Sequence, residues 1–185
     1  MKRLILVLIV LFLATMTGAQ AQRKVKEKEF STTAVVKKNC KPKMSLLLNP
    51  VLHEISGLTS WNGWLFGFND DSDTNLYAIQ SDLGTIVHRF NLPKVKNEDW
   101  EEMTQDSTYF YLGDFGNNSK GNRENLHILR IEKQSLLVDA PKIDTIAFSY
   151  SNQEHFIAMS PNQTDFDCEA MIVKNDSIYL FTKQW

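Results

Sequence analysis

The chain is poor in the residues that staple or interrupt small folds, with two cysteines, five prolines and eight glycines in 185 residues. Two cysteines are too few for a disulfide-built scaffold. The low glycine and proline counts exclude collagen-like and linker-type sequence. Charge of one sign is also lacking, because 20 Lys and Arg against 22 Asp and Glu leave a net charge of −2. No basic surface is implied, and nucleic acid is not expected as a partner. The four histidines, His53, His88, His127 and His155, fall in separate segments without ligand spacing, so the sequence does not suggest a zinc site. No Gly-x-Ser-x-Gly elbow and no Gly-Lys-Ser/Thr loop ending occurs, which leaves a serine hydrolase and a P-loop unsupported.

The one long apolar run is Leu4–Leu13, preceded by Met1-Lys2-Arg3 and followed by Ala19-Gln20-Ala21. A basic start, a short apolar centre and a small-x-small site are the parts of a cleavable signal peptide. The run is well short of the roughly 20 residues that span a bilayer. The expectation is therefore a signal peptide over 1–21, a mature start at Gln22, no stable membrane span after cleavage, and a periplasmic or extracellular product. Residues 22–45 are basic and polar and read as a flexible leader, with one edge strand at Thr32–Val36. Residues 46–185 form the folded domain. Export permits a disulfide between Cys40 and Cys168; a buried, unpaired Cys168 is the other reading.

After Leu46 the chain becomes short aromatic and β-branched runs divided by Asn, Asp, Gly and Ser clusters, the pattern of many antiparallel strands. These runs repeat. Glu54–Leu58, Trp64–Asp70, Leu76–Ile79 and Thr85–Phe90 are followed in the same order by Trp100–Met103, Tyr109–Asp114, Leu126–Ile131 and Ile143–Phe148. A third copy starts at Cys168–Met171 and continues through Ile178–Lys183. Four strands per copy is the unit of a β-propeller blade. The second run of each copy is apolar almost throughout, as when both faces of a sheet are packed. The fold class expected is all-β, a partial β-propeller of about two and a half blades. Rings of this kind typically need four to eight blades, so the chain reads as the N-terminal part of a longer protein, with closure by self-association as the alternative.

The segments Glu54–Leu58, Phe68-Asn69-Asp70, Asp99–Met103, Gly113–Asn118, Asp167–Met171 and Tyr179–Lys183 resemble, in order, the exported β-propellers of the SdiA-regulated and phytase-like esterase group common in Bacteroidetes. The resemblance implies a propeller of about six blades. It implies no settled activity.

In a propeller the first strand of each blade lines the channel, so acids there converge. Counting back from Leu58, Met103 and Met171 aligns Ser56, Glu101 and Glu169, with Glu54 two residues earlier. The candidate metal ligands are Glu54, Glu101, Glu102 and Glu169, with Asn69, Asp70 and Asp114 as nearby ligand contacts. Ca²⁺ suits such an oxygen-only set. The plainer reading is that these acids accept hydrogen bonds from turn amides or face water. Asp71-Ser72-Asp73-Thr74-Asn75 opens like a Ca²⁺ loop, but Leu76 stands where glycine is required, so a polar hairpin turn is expected. The function expected is an exported binding or scaffold protein of the cell envelope that meets an unidentified ligand or envelope protein. The alternative is a Ca²⁺-dependent hydrolase of phosphoesters or lactones.

Overall fold

A computed structural model describes residues 41–184. The signal peptide, the Thr32–Val36 strand and Cys40 lie outside the described residues. From Met44 onward the chain is one compact unit of three antiparallel sheets. Sheet one contains β1 (Ile55–Trp61), β2 (Trp64–Asn69), β3 (Asn75–Ile79) and β4 (Ile86–Asn91). Sheet two contains β5 (Trp100–Gln105), β6 (Tyr109–Asp114), β7 (His127–Glu132) and β8 (Ile143–Ala147). Sheet three is the hairpin of β9 (Asp167–Lys174) and β10 (Ser177–Lys183). A single helical turn, α1 (Lys133–Leu136), links β7 to β8. Every strand run expected from Glu54 onward is present, and each strand pairs with a chain neighbour.

Local chemistry sets the hairpins. Asn62 and Gly63 both take positive φ and join Trp61 to Trp64, which are paired; Asn-Gly readily reaches this geometry, whose twist matches that of the strands. Asn175 and Asp176 do the same between Lys174 and Ser177. At the β2–β3 connection, Asp73 Oδ1 accepts from the Asn75 amide at 2.7 Å. The Asp71–Asn75 segment is thus the polar turn expected of it.

Sheet two is buried on both faces, and the two-residue period of its strands divides its side chains between two cores. Phe110, Leu112, Leu129 and Ile131 point into a core shared with Phe66, Phe68, Leu76, Ala78 and Phe90 of sheet one. Tyr111 and Ile128 point the other way, onto Cys168 and Met171 of sheet three. The first core is aromatic at its centre, with Phe66 ringed by Trp61, Phe90 and Phe110 at centroid distances of 5.7, 6.1 and 5.0 Å. The far face of sheet one is covered by Leu48, Val51 and Leu52. Among the described residues sheet three has a neighbour on one face only, so β10 alternates where β2 and β6 do not, and Tyr179 and Phe181 are half exposed.

Cys168 is a free, fully buried thiol, and burial pushes its pKa up to about 11. The reading of Cys168 as buried and unpaired holds. No helix among the described residues is long and apolar enough to cross a membrane.

The first strands of successive sheets lie side by side, β1 against β5 and β5 against β9. Two bonds tie β5 to sheet one, with Ser56 Oγ on β1 donating to Glu101 O at 2.6 Å and Trp100 N–H donating to Asp70 O, just after β2, at 2.9 Å. Phe66→Ala, which empties the centre of the larger core, is expected to cost about 3–5 kcal/mol of folding free energy, measured by urea unfolding of the full chain.

Candidate functional site

Each sheet carries one β-bulge between its first and second strands, at the same step. The pairing jumps from Ser56–Phe68 to Leu58–Gly67, from Trp100–Asp114 to Glu102–Gly113, and from Cys168–Thr182 to Ala170–Phe181. The extra residues are Gly57, Glu101 and Glu169. A bulge bends its strand and re-aims the inserted side chain. The alignment by residue count is therefore corrected by one position in sheet one, where Gly57 rather than Ser56 is the counterpart of Glu101 and Glu169. Gly57 has φ +24° and is pressed between the Phe68 ring and the Met103 amide, so a Cβ there would overlap both. The close approach of β1 to β5 excludes a side chain at that point.

The carboxylates gather on the β5 and β9 bulges. Asp99, Glu101, Asp167 and Glu169 form two Asp-x-Glu triplets at equivalent positions, and the Asp99 carboxyl and Glu101 Oε1 both crowd the backbone of Gly116. Burial, followed by the charges of Asp99, Glu169, Asp167 and Asp70, pushes the Glu101 pKa up to about 8. Asp99 is raised by burial and by Asp167, Asp114 and Asp70, against the pull of Arg123. Glu169 is raised by burial and by Asp167 beside it, with Lys183 opposing at 3.5 Å. Asp70 is raised by burial and then by Glu54 and Asp71.

One cation from the β6–β7 loop is set against this charge. The Arg123 guanidinium donates to Asp114 Oδ1 at 2.7 Å and to Gly116 O at 2.9 Å, and lies 3.6 Å from Glu98 Oε2. Asp114 is fully buried, accepts from the Glu98 and Asp99 amides at 3.2 Å each, and has His127 Nε2 at 3.8 Å. Asp167, also fully buried, accepts from the Asn117 amide at 2.8 Å. The β6–β7 loop thus supplies Arg123 to Asp114 and the Asn117 amide to Asp167, while the Glu98 and Asp99 amides hold Asp114 from just before β5.

The expected ligands divide. Glu101 and Glu169 come together, with Asp70 in electrostatic reach of Glu101. Glu102 turns onto its own strand, accepting from the Met103 amide at 2.8 Å. Glu54 is exposed in the turn before β1, beside Asp70. Asn69 is buried and donates to Val51 O and Asp73 Oδ2, both at 2.9 Å, and Asp114 is committed to Arg123. Among the described residues, no three His, Cys, Asp or Glu side chains are gathered closely enough to hold a metal ion. What the cluster can do as it stands is carry a proton near neutral pH and attract positive charge.

Asp99, Asp167, Arg123 and Gly116 were not among the expected site residues. The repeated Asp-x-Glu spacing was a readable signal for the first two. Nothing in the sequence marks Arg123 as their countercharge. Comparison with family models, curated proteins and solved structures returned no match.

Two predictions follow from the charge balance. Because Glu101 is raised when folded, the folded state holds the proton between the unfolded carboxyl value near 4.5 and about 8. Its contribution is intact below that window and is lost as pH rises through it. Glu101→Gln should flatten the stability–pH slope between pH 5 and 8 and stabilise the chain at pH 8 by on the order of 1–2 kcal/mol, after allowance for the exposed part of the carboxyl. Thermal melts across that range provide the check. Arg123→Met strips the buried Asp114 of its paired cation and should cost about 3–5 kcal/mol by chemical denaturation, appreciably more than Arg130→Met at the exposed Asp144 pair.

Proposed function

We propose that the three sheets are successive blades of a β-propeller, and that the protein is an exported binding or scaffold module of the cell envelope. The observation that carries this reading is the side-by-side placement of β1, β5 and β9 with one bulge repeated at the same step. First strands packed in this way are those that surround the central channel of a propeller. The contact face on this reading is the acidic rim of Asp99, Glu101, Asp167 and Glu169, which favours ligands with positively charged or hydrogen-bond-donating groups. The signal-peptide pattern over 1–21 supports a periplasmic or extracellular location.

One observation favours a second reading, hydrolysis of phosphoesters or lactones. A carboxyl protonated near neutral pH is a general acid in waiting, and Glu101 has that property. The two readings separate on cells producing the full chain. The binding module should appear in the exported fraction with Gln22 at its N-terminus, and the purified protein should hydrolyse phosphoester and lactone substrates no faster than buffer, with or without Ca²⁺. Turnover that Glu101→Gln abolishes would replace the binding reading with the enzymatic one. Retention of the chain in the cytoplasm with Met1 in place would end the envelope assignment.

A further inference from the structure

The connection between β8 and β9 runs over residues 148–166 without helix or strand. A connection of that length is uncommon in a compact domain, and where it is ordered it usually carries function. This one is held in place from the β6–β7 loop. Ala158 N–H donates to Lys120 O at 2.9 Å, and Asn162 N–H to Asn118 O at 2.8 Å. The buried Gln153 donates to Gly121 O at 3.3 Å. Gly121 takes φ +61°, and a Cβ on it would stand 3.2 Å from the Ala158 Cβ, so the two loops are in close contact.

The middle of this loop divides its apolar residues inward and outward. Phe156 and Ala158 are partly buried, whereas Ile157 and Met159 are 85% and 96% exposed. A lone exposed apolar residue is ordinary, but these two stand together and line a groove of about 330 Å³ with Phe156, Pro161, Ser119 and Lys120. The groove lies between two internal loops and involves no strand edge. Shape selects what it takes. Its walls Ile157 and Met159 are themselves open to water, so it cannot enclose a small molecule, which needs roughly 70–90% of its surface buried. An extended peptide needs cover on one side only.

Charge selects the peptide. The loop carries the exposed Glu154 and Asp165 and leads directly into Asp167 and Glu169 of the acidic rim. Asn117, whose amide holds Asp167, is three residues from Lys120, which sets the two loop contacts at most about 11 Å apart along the chain. An extended peptide of about six residues therefore spans groove and rim. Lys120 stands at the groove end and disfavours a basic group there. We propose that the β8–β9 loop docks a peptide segment of a partner protein, with a large apolar side chain in the groove beside Ile157 and Met159 and a lysine or arginine on the acidic rim. This names the ligand class of the rim and rests on the binding reading given above.

Random dodecapeptides displayed on phage and selected on the immobilised full chain provide the test. The selected sequences should carry a basic residue and a large apolar residue a few positions apart. One of them, synthesised with a fluorescent label, is then titrated by anisotropy. Ile157→Ser combined with Met159→Ser alters only exposed side chains, so its circular dichroism should match the parent while the peptide's dissociation constant rises about tenfold or more. Serine in place of the peptide's apolar residue should cost as much in the parent chain and little in the double variant. Lys120→Glu should tighten binding about two- to threefold, by exchanging a repelling charge for an attracting one. Selected sequences that are acidic or lack apolar residues, an unchanged constant for the double variant, or an unchanged or weaker constant for Lys120→Glu would overturn the proposal. Glu169→Gln separates this failure from that of the rim. If it weakens the peptide while the Ile157 and Met159 changes do not, the rim binds and the groove does not; selection of no basic peptide at all would remove both readings.

Discussion

The close lateral packing of the first strands is the constraint on which the rest of the structure depends. β1 and β5 approach so closely that Gly57 must lack a side chain, and β5 and β9 bring two Asp-x-Glu triplets to the same level. Like charges there raise the free energy of the folded state. Among the arrangements that offset that cost are Arg123 bound to Asp114, backbone amides aimed at Asp114 and Asp167, and protonation of Glu101, with Lys183 beside Glu169. The first is supplied by the β6–β7 loop, and the second by that loop at Asp167 and by the Glu98 and Asp99 amides before β5 at Asp114. The third varies with pH, which makes Glu101 the adjustable member of the cluster.

Sheet two supplies the mechanical counterpart. Its strands send alternate residues into opposite cores, so a shift of one residue in β6 would exchange Leu112 for Tyr111 and disturb both cores at once. The register that positions Glu101 is therefore set by the hydrophobic pattern of the whole sheet. The bulge makes a local exception, freeing one residue from the alternation so that a carboxylate can leave the core without polar groups entering it.

Much of this was legible in the residues. The strand runs, the Asn62-Gly63 and Asn175-Asp176 turns and the repeat all follow from short-range rules, because turn chemistry and two-residue alternation act within a few positions. The alignment of Ser56 with Glu101 failed because an inserted bulge residue changes the count without changing the pattern of apolar residues around it. Arg123 was invisible for a different reason. It sits in a polar loop folded so that its guanidinium reaches the Asp114 carboxylate and the Gly116 carbonyl, and no local rule encodes that. The apolar run in the third copy suggested a strand packed on both faces, but composition alone does not reveal whether a second neighbour is present, and among the described residues β10 has one.

The chemistry of the acidic rim has a consequence for any ligand it takes. Glu101 is neutral over much of the range below about 8, so a positive ligand settling against it favours loss of that proton. Binding and deprotonation are then linked, and the same coupling that raises the carboxyl in the free protein weakens the ligand at low pH. A neutral hydrogen-bond donor has little such linkage, because it is stabilised by the carboxyl oxygen in either protonation state. The direction in which affinity moves between pH 6 and 8 therefore reports the charge of the ligand before its identity is known. The bulge that lifts Glu101 out of the sheet makes that possible, because it holds the carboxyl buried enough to shift and exposed enough to be reached.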